Sequence, residues 1–183
     1  MLAGATIRNR DAEAMSILLP SVSIVLLAVA AWRDVAARMI PDTVAAALLV
    51  LGVATRIALA GLPAAGLSLG LALILFLVLV ALHAAGWLGG GDVKLAAGFA
   101  AGLAPQAILP FIAATAIAGG GLAGVHLALR LLPFRQCRPR PGLMLLRRVL
   151  RAEHWRIARH GSLPYGVAIA CGGAWIILLG SGR

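Results

Sequence analysis

The stretch Gly86-Trp87-Leu88-Gly89-Gly90-Gly91-Asp92-Val93-Lys94-Leu95 decides how this chain is read. It lies between two long apolar segments. It holds three successive glycines, a carboxylate and the only lysine of the protein. An ionisable side chain beside a bilayer is expensive to keep and so points to function. Asp92 is one of six acidic residues, and Asp34 and Asp42 also fall at the ends of apolar segments. The question is whether Asp34 and Asp92 are partners.

The rest of the chain gives those glycines their setting. Of 183 residues, 62% are hydrophobic and 12% charged. A soluble domain is roughly half apolar and a quarter charged. The composition is therefore that of an integral membrane protein, with one domain over residues 1–183. The formal charge of +10 does not indicate nucleic acid, because the basic residues border the apolar segments. Cys137 lies in a basic loop and Cys171 in an apolar run, so no disulfide is expected, and no CxxC pair offers a zinc site. Neither metal nor cofactor is expected. Arg8 and Arg10 precede the first apolar run, but Asp11 and Glu13 intervene and no small-residue cleavage site follows, so that run reads as a retained span.

Helical punctuation divides the chain. Residues 1–14 read as a polar tail, disordered or interfacial. Residues 15–32 form the first expected span, with Pro20 near its start and Trp32 as an interfacial anchor. Pro41 ends one helix or opens the next, and Asp42 or Thr43 suits an N-cap. Residues 43–60 form a second span, whose Arg56 can snorkel. Gly61-Leu62-Pro63 reads as a turn, and residues 64–85 form a third span. The fourth segment, 93–104, is short against the roughly 20 residues a crossing needs, and either begins at Gly89 or runs into the next. Residues 106–132 form the fifth, with Gly119, Gly120 and Gly121 suited to close packing or a kink. Residues 162–180 form the last. The fold class expected is all-α: a polytopic bundle of about six transmembrane helices.

Between the last two spans, residues 133–161 carry eight arginines against a single acid, Glu153. Leu143, Leu146, Val149, Leu150 and Trp155 interleave with them at roughly helical spacing, which suggests an amphipathic helix on an anionic leaflet. Positive-inside bias alone also explains the charge. With six spans, the loops at 33–42, 86–94 and 133–161 share one side and hold eleven of the sixteen basic residues. That side is expected to be cytoplasmic and both termini outside. Asp34, Asp92 and the Pro164-Tyr165-Gly166 turn then emerge at one face and at similar depth.

Two carboxylates held close cannot both be ionised, so they share a proton and titrate as a pair. The ionised member can take a proton from water while the protonated member donates to a scissile carbonyl. That is an aspartic protease without metal or covalent intermediate. Gly89 and Gly91 fit it, since a backbone without Cβ turns sharply and admits close approach. Lys94 lies about 200° round a helix from Asp92, so a lipid phosphate or loop carbonyl is its expected partner. Each acid also has a simpler reading: Asp34 as a charge paired with Arg33 or Arg38, Asp92 as a helix N-cap. The glycines form no phosphate loop, because no Gly-Lys-Ser/Thr follows. His83 and His126 lack Glu or Cys at ligand spacing and read as hydrogen-bonded packing residues.

These residues resemble the prepilin peptidase family of membrane aspartic proteases, which shares its GxGD signature with presenilin-like proteases. Gly89-Gly90-Gly91-Asp92-Val93-Lys94 looks like the family's GxGDxK element. Asp34 followed by Ile40-Pro41-Asp42 looks like its first aspartate and IPN-type motif, and Leu163-Pro164-Tyr165-Gly166 resembles its late P-[FY]-G motif. The resemblance implies Asp34 and Asp92 as the catalytic pair, supported by Gly89, Gly91, Lys94, Pro41, Asp42, Pro164, Tyr165 and Gly166. It implies removal of a short charged leader from prepilin or pseudopilin precursors at the cytoplasmic face of a bacterial inner membrane. Tyr165 would then wall the substrate pocket; otherwise it is an interfacial aromatic.

The chain departs from larger members in two respects. It shows neither their N-terminal extension nor the cysteine cluster linked with methylation of the new N-terminus. The short, peptidase-only form of Flp or tight-adherence pili is therefore expected, without methyltransferase activity. Asp42 also stands where the family usually has Asn; a helix cap is its expected role, a third titrating group the alternative. The rival functional class is a non-catalytic scaffold of a pilus or secretion system. A proton-coupled transporter ranks last, because it calls for acids near mid-membrane.

Overall fold

Runs of Ala and Leu, broken by Gly and Pro, form helices, the first four of them separated by short turns. The computed structural model describes residues 2–131 and 163–181, and side chains over 18–128 and 163–180. Five helices follow in order: α1 (Leu2–Ala37), α2 (Asp42–Ala84), α3 (Gly90–Ala100), α4 (Pro105–Leu131) and α5 (Tyr165–Ser181). Among the described residues there is no strand, so the all-α class holds. The basic loop 133–161, with its expected interfacial helix, lies outside the described residues.

The 43-residue α2 is two limbs rather than one rod. Gly61 takes φ 80° and ψ 170°, a conformation that glycine alone adopts freely, and Pro63 follows. Across the bend Arg56 Nε donates to Ser68 Oγ at 3.3 Å. Twelve residues of straight helix would separate them by about 18 Å, so the limbs fold back on one another. The expected turn at Gly61-Leu62-Pro63 is therefore present. Arg56, however, does not simply snorkel outward; it ties the two limbs together.

Three helical stretches, Leu18–Ala37, Asp42–Ala84 and Pro105–Ala128, are long and apolar enough to cross a membrane. Among the described residues each apolar segment read from the sequence contains a helix, but α3 has only 11 residues and ends at Ala100, short of the expected 104. At about 16 Å it falls short of a hydrocarbon core about 30 Å thick. It starts at Gly90 with Gly89 as its N-cap. In α1 the helix reaches back to Leu2, through the stretch expected as a polar tail. Pro20 is consequently an interior proline rather than one near a helix start. The helix also continues past Trp32, which places Asp34 on its last turn.

Small residues let these helices approach closely, the device membrane bundles use where lipid is as apolar as leucine. A Cβ on Gly52 would lie 2.6 Å from the Gly102 Cα, and one on Gly98 2.6 Å from the Ala45 carbonyl oxygen. These contacts lock the first limb of α2 onto α3. Gly172 packs against Thr115 and holds α5 to α4, while Gly173 lies under Leu27 and Phe99. The core they enclose includes Leu27, Leu48, Leu95, Phe99, Phe111 and Ile169. Large side chains such as Leu18, Val25, Leu73, Leu77 and Leu178 point outward, as expected of a lipid-facing surface.

This packing sorts the helix ends. The end of α1, the start and finish of α2, and the starts of α3 and α5 gather at one end of the bundle, hereafter the motif end. At the opposite end, Pro20, Thr55, Leu103 and Gly180 line a common cavity of about 630 Å³.

Candidate active site

Asp34 reaches the interior because α1 stops just after it. Arg38 adopts φ 55°, and its N–H donates to the Asp34 carbonyl at 2.8 Å, closing the helix in a left-handed turn. For a residue with a Cβ that conformation costs about 1–2 kcal/mol, and such strain gathers at functional sites. The Asp34 side chain is buried, and its Oδ2 accepts the Gly166 N–H at 2.8 Å. That amide belongs to the first turn of α5, where N–H groups lack helical partners and the helix dipole favours an anion. Pro164 precedes the helix, where its missing N–H costs nothing. A Cβ at residue 166 would meet the Asp34 side chain at 2.9–3.1 Å, so any residue but glycine would force that carboxylate to shift. The chain thus brings Asp34 and Pro164-Tyr165-Gly166 together from opposite ends of the sequence.

Asp92 occupies the first turn of α3, just before its apolar run. It is not the N-cap; Gly89 is, and Asp92 reaches back to that residue's amide. A Cβ on Gly89 would lie 2.7 Å from Asp92 Oδ2. Gly89 itself is extended, at φ −72° and ψ 142°, so it serves by making room rather than by turning. The sharp turn falls at Gly86, φ 78°. His83, in the last turn of α2, contacts the Leu88 carbonyl through Nδ1 at 2.7 Å and steadies the glycine loop. Gly91 admits Ile40, which would stand 3.1 Å from its Cβ.

Asp92 is nine-tenths buried, and its Oδ1 accepts no hydrogen bond. Burial first, then the neighbouring Asp34 charge, push its carboxyl up from 3.8 to about 7. The Gly89 amide and the Arg38 guanidinium oppose that rise. Asp34, Arg38 and Asp92 therefore share one electrostatic environment.

Lys94 and Asp42 are brought together, but elsewhere. The Lys94 Nζ lies 2.8 Å from both Asp42 carboxylate oxygens, with side chains 51% and 73% exposed. Within the protein Lys94 reaches a carboxylate rather than a loop carbonyl and so bridges α3 to α2, and one further expectation is corrected here. Asp42 does not cap α2, whose N-cap is Pro41 with no side-chain cap hydrogen bond. An aspartate one residue inside the helix is better used by a cation across the interface.

Tyr165 lines a cavity of about 380 Å³ together with Asp92. A Cβ on Gly119 would lie 3.6 Å from the Tyr165 ring, so the two are in ordinary packing range. His126 is buried, and its Nδ1 contacts the Leu122 carbonyl at 3.3 Å. Arg38, expected as an ion-pair partner of Asp34, also supplies the left-handed turn after α1, and Ile40 of the Ile40-Pro41-Asp42 motif packs on Gly91.

A sequence model of the type IV leader peptidase family matches residues 21–124, more than half of the chain. The match takes in Asp34, Asp42, Asp92 and Lys94 and stops before Tyr165. No curated protein and no solved structure matches. With a matched region that spans both buried aspartates and the helices that carry them, the chain belongs to the type IV leader peptidase family.

Proposed function

We propose that this protein is a membrane aspartic endopeptidase that removes the short charged leader from prepilin-like precursors of the Flp type. The observation that carries the reading is the pair of buried carboxylates at one end of the bundle. Asp34 is held by Gly166, and Asp92 lies in its field with one oxygen unengaged.

Asp92, with its carboxyl raised to about 7, is the proton donor. Asp34 is the base. Water between them gives a proton to Asp34 and attacks the scissile carbonyl carbon, whose oxygen takes the proton of Asp92. Collapse of the tetrahedral intermediate breaks the C–N bond: the proton on Asp34 passes to the leaving amine, and one hydroxyl of the diol returns its proton to Asp92 as the carbonyl re-forms. The Gly166 amide keeps the Asp34 carboxylate in place through this cycle.

On the six-span reading of the sequence, the loops at 33–42, 86–94 and 133–161 share one side and hold eleven of the sixteen basic residues, which supports a cytoplasmic position for Asp34 and Asp92. The precursor's charged leader would then stay in the cytoplasm and its apolar stem in the bilayer. The eight arginines of residues 133–161 carry the charge that suits an anionic inner leaflet.

Co-expression with candidate precursors tests the proposal, with N-terminal sequencing of the product. Shortened precursor with the parent chain, and unprocessed precursor with Asp34→Asn or Asp92→Asn variants that still reach the membrane, is the expected result. Full processing by either variant removes that aspartate from the mechanism. Pilus assembly that is normal in both variants favours the scaffold reading.

A further inference from the structure

The bridge between Lys94 and Asp42 stands at the mouth of a groove that the mechanism above does not use. The groove encloses about 360 Å³ where both limbs of α2 meet α3. Ala46, Leu49, Leu69, Leu73, Phe76 and Ala97 line it, and Asp42 and Lys94 supply its charge. Along the first limb it descends from Asp42, in the first turn, to Leu49, a drop of about 10 Å. Leu49, Leu69 and Leu73 are exposed, so the groove opens on the outward surface of the bundle. It is separate from the aspartate pair. Lys94 lies about 200° round α3 from Asp92, and the cavity that contains Asp92 shares no lining residue with the groove.

The walls suit a hydrocarbon chain. An apolar cavity of about 150 Å³ takes a benzene ring, and this space is more than twice that size. The mouth is neutral as a whole, because Lys94 Nζ lies 2.8 Å from both Asp42 carboxylate oxygens. Both side chains are nevertheless at least half exposed. An ammonium has three donors and a carboxylate about four acceptor sites, so each partner keeps capacity for a further bond. A purely anionic head group would find the lysine already answered and the aspartate repelling it. A zwitterion meets no such conflict: its phosphate accepts from Lys94 while its ammonium donates to Asp42, and the four charges alternate in sign. We propose that the groove binds a phospholipid whose head group carries both a phosphate and a primary ammonium, phosphatidylethanolamine, with one acyl chain between the limbs of α2 and α3. A choline head group has no N–H to give Asp42, and a glycerol head group has no positive charge. The bound chain braces α3, the helix that carries Asp92, against α2. The proposal stands whether or not the protein is a peptidase, since neither buried aspartate enters it.

The test offers the full-length protein, purified in detergent, equal amounts of dioleoyl phosphatidylethanolamine, phosphatidylglycerol and phosphatidylcholine, and counts retained lipid by native mass spectrometry. A net charge of +10 attracts phosphatidylglycerol elsewhere on the chain, so the groove is isolated by filling it. Ala46→Phe is expected to release lipid in which phosphatidylethanolamine exceeds either of the others by about tenfold or more, the range for a charge-assisted hydrogen bond. Ala47→Phe, next in the chain but outside the groove, is expected to retain what the parent retains. Lys94→Gln is expected to release the same phosphatidylethanolamine. Asp42→Asn leaves the lysine unanswered and is expected to exchange phosphatidylethanolamine for phosphatidylglycerol. An Ala46→Phe variant that releases no lipid, or releases the three evenly, overturns the proposal. So does a preference that Asp42→Asn leaves unchanged. Phosphatidylethanolamine displaced by a peptide of a precursor's apolar stem would give the groove to that stem and overturn the lipid as its occupant.

Discussion

Three aspartates lie at one end of this bundle, and they occupy two different environments. Asp34 and Asp92 are 7% and 9% exposed and are held by amides, Gly166 N–H for one and Gly89 N–H for the other. Asp42 leaves 73% of its side chain exposed and answers a lysine. All three sit near helix ends beside apolar runs, and their local sequences do not rank them. What separates them is the neighbour that lacks a side chain. Gly166 and Gly89 open space for the first two carboxylates. Asp42 follows Pro41 at a rim where Lys94 is within reach. Burial next to like charge prepares a carboxyl for proton transfer. An exposed ion pair contributes little beyond register.

The sharpest way to break this contrast is to neutralise each acid in turn. Asp34→Asn and Asp92→Asn are each expected to lower the rate of precursor cleavage by about a thousandfold or more, the range for a lost acid or base. Asp42→Asn is expected to stay within about threefold of the parent. A thousandfold loss at Asp42 would place it in the reacting group and erase the distinction.

The next effect is geometric. Gly166→Ala puts a methyl group 2.9–3.1 Å from the Asp34 carboxylate. The side chain must shift, and a displacement of about 1 Å costs on the order of 100-fold in rate. Steady-state cleavage is expected to fall by about 10- to 100-fold in kcat, with membrane insertion unchanged. A variant that cleaves normally would show that the Gly166 amide does not set the acid's position.

Proton occupancy sharpens the comparison further. Asp92 donates only while protonated, and its carboxyl is raised to about 7. Cleavage is expected to decline above that pH, approaching roughly tenfold per unit as for loss of one proton. Arg38 opposes the rise at Asp92, so Arg38→Gln is expected to move the alkaline limb to higher pH. A limb that stays in place or moves lower would exclude the guanidinium from the site.

The smallest effect is expected at the rim. Lys94→Gln and Asp42→Asn, made singly and together, are expected to show a coupling of less than about 1 kcal/mol in unfolding, as for exposed ion pairs. A larger coupling would mean that the bridge between α2 and α3 carries more than register.

Much of this was legible in the amino acids. Apolar runs bounded by Gly61-Leu62-Pro63, Gly86 and Pro105 marked the helices, because those residues disfavour continued helix in water or lipid alike. Asp34 and Asp92 stood out because charge is costly beside a bilayer. The partners were not legible. Which carboxylate Lys94 meets depends on the rotation of α3 against α2, which is set where Gly52 meets Gly102 and Gly98 meets Ala45, contacts between segments far apart in sequence. The left-handed Arg38 has no sequence signature, since the conformation ordinarily selects glycine or asparagine. The cavity beside Asp92 is a space among four elements, and no single segment encodes it.

The central claim is that Asp34 and Asp92 act as one unit. Cleavage rates of the parent, of Asp34→Asn, of Asp92→Asn and of the double variant test it directly, read on one precursor in one membrane preparation. Groups that act together lose their effect together, so the double variant is expected to be no slower than the slower single variant. Losses that multiply, or a single variant that cleaves at the parent rate, would contradict the pair.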